Sequence, residues 1–117
     1  MRFMMLYKPG HESDAPPSAE HMAEMGRYIA ELTQAGVLLA TDGLQSSKKG
    51  TRVRITGHTF TVTDGPFTEA KELIAGFAII QAASKEEAIG HAKRFLTLVG
   101  EGESEIRLMH EAPALAR

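Results

Sequence analysis

Ala75-Gly76-Phe77-Ala78-Ile79-Ile80-Gln81-Ala82 is the stretch on which the fold turns. Successive side chains point to opposite faces of a strand, so Phe77 and Ile79 share one face while Ala78 and Ile80 share the other. Both faces are apolar, as they are in Phe3-Met4-Met5-Leu6-Tyr7. Strands that are apolar front and back belong in the interior of a sheet. Downstream, Ser84 with Glu87 three residues later forms a capping box that opens a helix. Ala88, Ala92, Phe95 and Val99, joined by Ile89 and Leu96, make its buried stripe, and Gly100 stops it. A closing strand is expected over Glu105–His110, with Ile106, Leu108 and His110 on one face. Upstream, Pro9, Gly10, Pro16 and Pro17 mark a loop, and Ser18 is placed to cap a helix whose first turn holds Glu20. Met22, Met25, Ile29 and Leu32 recur at helical spacing, and Gly36 suits a left-handed C-cap. Val37–Ala40 reads as a second strand that Asp42-Gly43 begins to turn away.

Between these elements, Val53 and Ile55 alternate with Arg52, Arg54 and Thr56, and Phe60 and Val62 alternate with Thr59, Thr61 and Thr63. A two-residue turn at Gly57-His58 sets Ile55 opposite Phe60 and Val53 opposite Val62. A one-residue slip would oppose apolar side chains to Thr and Arg, so the pattern fixes the register. The hairpin has one apolar face and one Arg/Thr face. The order is strand, helix, strand, hairpin, strand, helix, strand: an α+β, ferredoxin-like βαββαβ domain with an inserted β-hairpin. Both helices then cover one sheet face and leave the other bare. A bare face rich in Phe, Met, Ile and Leu exceeds the apolar patch that soluble monomers expose. A homodimer, sheet against sheet, is the expected remedy.

The chain has 117 residues, 43% apolar and 24% charged, which fits one globular domain and not a disordered chain. A single domain over residues 1–112 with a loose tail at 113–117 is expected. Thirteen basic against fifteen acidic residues give a net charge of -2, which disfavours direct nucleic-acid binding. No apolar run is long enough to cross a membrane, and Met1–Lys8 is too short for a signal peptide. No cysteine is present, which excludes thiolate metal sites and thiol nucleophiles and fits a cytoplasmic location.

Asp64-Gly65-Pro66-Phe67-Thr68-Glu69-Ala70-Lys71-Glu72 follows the hairpin. Asp can bond its own downstream backbone, Gly accepts a left-handed angle and Pro fixes the next dihedral, so a rigid turn is expected. The stretch resembles the DGPFAETKE signature of the YCII-related (DGPF-domain) family, departing from it at Thr68 and Ala70. The resemblance extends over Met22 to Leu44, Lys49 to Val53, Gly76-Phe77, Ser84 to Ala92 and Ile106-Arg107. It implies a dimeric α/β barrel, with ligand-sized clefts between sheet and helices. Shorter members similar to this family carry a His-Asp pair proposed as an acid–base dyad. The position of that His is Met25 here, and His21, one turn earlier, is not a substitute by sequence. Members of the branch it resembles are commonly encoded beside sigma factors of the extracytoplasmic-function type, which implies a regulatory or stress role and specifies no chemistry.

The candidates for acid–base chemistry are Asp64, held by its turn, with His21, at the edge of the first helix's apolar stripe, and His110, which alternates with Ile106 and Leu108 on the closing strand. Candidates for binding a small polar or anionic ligand are Arg52, Arg54, Lys71, Glu69 and Asp42. His11, His58 and His91 read as surface or internally satisfied histidines. No metal-ligand spacing, phosphate loop or dinucleotide fingerprint is present, so neither metal nor cofactor is expected. Two functions fit. One is a homodimer of unassigned activity that binds, and if catalytic transforms, a small molecule by acid–base chemistry in a cleft near the Asp64 turn. The alternative is a noncatalytic regulatory partner of such a sigma factor.

Overall fold

The computed structural model describes residues 1–12, 15–67 and 73–111. Along the chain run β1 (Arg2–Lys8), α1 (Ala19–Gln34), β2 (Leu38–Gly43), a 3-10 turn (Ser47–Lys49), β3 (Thr51–Thr56), β4 (Thr59–Asp64), β5 (Gly76–Gln81), α2 (Lys85–Val99) and β6 (Glu103–Leu108). Four strands form an antiparallel sheet in the order β2-β5-β1-β6. Without the hairpin that is the split βαβ order of a ferredoxin-like domain. The hairpin β3–β4 forms a sheet of its own.

The two strands that are apolar on both sides lie side by side at the centre. Phe3 pairs with Ile80, Met5 with Ala78 and Tyr7 with Gly76, and these share the face under the helices. Phe3, Met5 and Ile80 join Leu32 of α1, Leu38 of β2 and Ala88 and Ala92 of α2 in one buried cluster. Met4, Leu6, Phe77 and Ile79 fall on the opposite face. All four are half-buried, because among the described residues no helix covers them.

The helix signals act as expected. Ser18 Oγ accepts from the His21 N–H, and Gly36, at φ 75°, terminates α1. Ser84 Oγ accepts from the Glu87 N–H, while the Glu87 carboxylate returns to the N–H of Ala83. Gly100 ends α2 at φ 89°. Three expectations differ. Met22 is exposed, because the stripe of α1 meets the sheet only from Met25 onward. β2 continues to Gly43, since it pairs with β5 down to Gly76. β6 runs Glu103–Leu108, so His110 lies beyond the strand and is exposed. The expected tail, 113–117, lies outside the described residues.

The hairpin has the expected register, Val53 opposite Val62 and Ile55 opposite Phe60, with Gly57 at φ 63° in its turn. Its root is built by close approach. Gly65 does not adopt a left-handed angle; its N–H donates to the Gly50 carbonyl at 2.8 Å. A Cβ on Gly65 would lie 2.7 Å from the carbonyl oxygens of both Ser47 and Lys48. The 3-10 turn that supplies them is clamped by Glu12, whose carboxylate accepts from Ser47 N at 2.8 Å and Ser47 Oγ at 2.6 Å.

Gly65→Ala is therefore expected to push the root apart, and hydrogen exchange of the β3–β4 amides should accelerate by about tenfold or more, the β1–β5 amides staying unchanged. Acid should loosen this root and two further contacts. Hydrogen bonds from Ser47 hold Glu12 below the ordinary carboxylate range, those from Lys8 and Arg107 do so for Glu105, and that from the Arg2 backbone does so for Glu111. A carboxyl depressed in the folded state stabilises above its unfolded pKa and loses that contribution as the pH falls through the folded value. The urea midpoint should accordingly fall between pH 7 and pH 3.

Candidate functional site

Small residues sit where the sheet passes beneath the helices: Gly43 at the end of β2, and Gly76 and Ala78 on the inner face of β5. Larger side chains stand around them, from Met5 and Tyr7 on β1, Met25, Tyr28 and Ile29 on α1, and Phe95 on α2. The difference in bulk leaves a cavity of about 390 Å³ between the sheet and the helix pair. That is within the size range of small-molecule sites, which are typically apolar with a few placed polar groups.

Three polar side chains of this cavity are already engaged. Tyr7 Oη donates to the Glu101 carbonyl at 3.0 Å, and its ring packs edge-on to Phe95 with centroids 5.2 Å apart. Tyr28 Oη donates to the His91 carbonyl at 3.3 Å, tying α1 to α2. Thr41 Oγ1 donates to the Phe77 carbonyl at 2.8 Å. Burial raises the pKa of both tyrosines; the Glu101 carboxylate adds to it at Tyr7, while at Tyr28 Arg94 opposes it and Glu31 adds to it. Both phenols therefore stay protonated at neutral pH and act as donors.

His91 is the exception. Both ring nitrogens are buried, and among the described residues neither has a hydrogen-bond partner. The nearest carboxylate, Glu87 one turn earlier, approaches Nε2 only to 3.9 Å, beyond hydrogen-bond reach, and its other oxygen is held in the α2 cap. An imidazole offers a donor and an acceptor, and leaving both unmet costs free energy that a ligand can return. It is the kind of group that binds a polar atom or carries a proton.

Of the residues singled out from sequence, Asp42 lines this cavity, exposed at the end of β2. Asp64 lies at the hairpin root, where Oδ1 accepts from Thr51 Oγ1 at 2.9 Å. The hairpin register sets Asp64 and Thr51 on the face opposite Arg52 and Arg54, so this carboxylate and these guanidiniums do not converge. Arg52 lies 3.8 Å over the Phe67 ring, and Arg54 is exposed further along the same face. His21 is half-buried in the first turn of α1, and His110, whose carbonyl accepts from Arg2, is exposed past β6; neither lines the cavity. Glu69 and Lys71 lie outside the described residues. Among the described residues, no three His, Asp or Glu side chains gather as a metal shell.

His91 was legible as a position if not as a role. It stands three residues after Ala88 and four before Phe95, on the buried stripe of α2. A histidine on an apolar stripe is often satisfied by a neighbour, and only the missing partner distinguishes this one.

Replacing His91 by an apolar side chain of similar volume should remove two orphaned atoms at little cost in packing. His91→Leu is expected to raise stability by about 1 kcal/mol in urea denaturation. A loss of that size would mark His91 as a satisfied structural residue.

The family model of the YCII-related domain matches residues 1–107. No curated protein matches. Among solved structures, the chain is similar to 5-chloro-2-hydroxyhydroquinone dehydrochlorinase (TftG) from Burkholderia phenoliruptrix AC1100 in complex with 2,5-dihydroxybenzoquinone, at 14% identity and a TM-score of 0.46, with 96% of each chain covered.

Proposed function

The chain belongs to the YCII-related family, and on that premise we propose that it is a small-molecule-binding homodimer whose ligand occupies the cavity beneath α1 and α2. The observation that carries this reading is the pair of buried, unpartnered ring nitrogens of His91 beside that cavity. The ligand would be compact and largely apolar, to match walls of Met, Tyr and Phe, with a polar atom placed to bond the imidazole. If the bound molecule is transformed, His91 is the group suited to take up or release its proton, with Asp42 the carboxylate at the same cavity. This reading moves the acid–base role away from Asp64, His21 and His110, none of which lines the cavity. The homodimer is supported by Met4, Leu6, Phe77 and Ile79, a contiguous apolar group on the face without helices. Pairing of that face with its copy would remove it from water.

A thermal-shift and NMR screen of small cyclic and aromatic acids, phenols and lactones tests the cavity. A true ligand should raise the melting temperature of the wild type and perturb the His91 imidazole signals. At about 100-fold excess over its dissociation constant it would stabilise by about 2.7 kcal/mol. The same ligand should leave His91→Leu nearly unshifted. Equal stabilisation of both proteins, or imidazole signals that ignore every binder, would remove His91 from the site.

A further inference from the structure

The hairpin β3–β4 presents an apolar stripe to water. Val53, Ile55, Phe60 and Val62, paired across the two strands, are 59–68% exposed. An isolated two-stranded hairpin is marginal in water, and among the described residues this one belongs to no larger sheet. Its orientation is set at the root. On the polar face Arg52 lies over the chain's own Phe67, and Phe67 in turn packs within 3.4 Å of the space beside Gly50. The contact with its own chain at the root is thus made from the Arg/Thr face, and along both strands the hairpin is exposed. The radius of gyration is 16.8 Å, against about 13 Å for a compact domain of this length, so the chain reaches beyond its own core.

We propose that the hairpin is an exchanged arm, whose apolar stripe closes over a second copy of this chain and extends the sheet-to-sheet pairing. The inference rests on the homodimer proposed above. A flat apolar β surface is best matched by another, packed face to face about 10 Å away. Area points the same way. Four strands of about six residues present a flat footprint of roughly 400 Å², while a stable interface takes about 800 Å² from each partner. The two six-residue strands of the arm add roughly 200 Å² and the corrugation of side chains adds more. A two-fold axis then gives each copy both an arm and a surface that receives one.

Sedimentation of the wild type and of a variant carrying V53T, I55T, F60T and V62T tests the arm, threonine being chosen to retain strand propensity. The wild type is expected to be a dimer at micromolar concentration and the variant to dissociate about 100-fold more readily. A wild-type dimer with an equally tight variant would overturn the arm while leaving the sheet pairing intact. A wild-type monomer at all concentrations would overturn both, and the cavity reading would stand or fall separately on the ligand screen. Hydrogen exchange on the unmodified protein provides a measurement independent of the variant's folding. The β3–β4 amides should gain protection as concentration rises through the dimer transition, and unchanged exchange there would also overturn the arm.

Discussion

Pairing between β1 and β5 sets the position of almost everything else in the molecule. Phe3 against Ile80 and Met5 against Ala78 fix which side chains face the helices, and the same register commits Met4, Leu6, Phe77 and Ile79 to the other side. A shift of one residue would exchange the two sets, placing Ala78 and Ile80 outside and Phe77 under the helices. The small floor that Gly76 and Ala78 provide beneath α1 and α2 would then be filled by Phe77. Cavity, core and uncovered face are thus consequences of one strand pairing, and the helix caps at Ser18 and Ser84 only determine where the covering helices begin.

The cavity follows from an imbalance in side-chain size. Close packing would require the small residues of the sheet to meet bulky ones from the helices. Tyr28 and Phe95 are bulky enough, but their own contacts hold them around the opening and not down onto Gly43, Gly76 and Ala78. Tyr28 is anchored to the His91 carbonyl, and Phe95 is braced edge-on by Tyr7, which is anchored to the Glu101 carbonyl. These contacts keep the walls from collapsing inward. The result is an open volume beside which, among the described residues, the buried side chain left without a hydrogen bond is a histidine.

The fold was legible because each of its elements carries a local signal: two-sided apolar strands, capping serines, glycines after the helices, and a hairpin whose alternation admits one register. The site was less legible, and for different reasons in different places. His91 is marked by what it lacks, and a missing partner is a property of three-dimensional surroundings, whereas its spacing from Ala88 and Phe95 reads as ordinary core. Asp64 drew attention because it begins a rigid turn, yet its carboxylate is engaged by Thr51 thirteen residues earlier, a contact that exists only once the hairpin has closed. Arg52 and Arg54 share a face as alternation requires, but the opposite parity of Asp64 is evident only in the register of the pair.

Gly65 shows how a correct residue can be explained by the wrong physics. A glycine between Asp64 and Pro66 suggests backbone freedom, and the structure gives it no positive φ to need that freedom for. Its requirement is space: two carbonyl oxygens from the Ser47–Lys49 turn occupy the volume a Cβ would take. That turn is itself held by Glu12, far back in the sequence, so the hairpin is rooted by a segment from each side of α1 and β2. Rooting of this kind transmits no packing to the outer strands, whose apolar stripe remains exposed despite a well-defined register. A hairpin fixed at its base and uncovered along its length is a lever, and its apolar face has to be satisfied by something outside its own core.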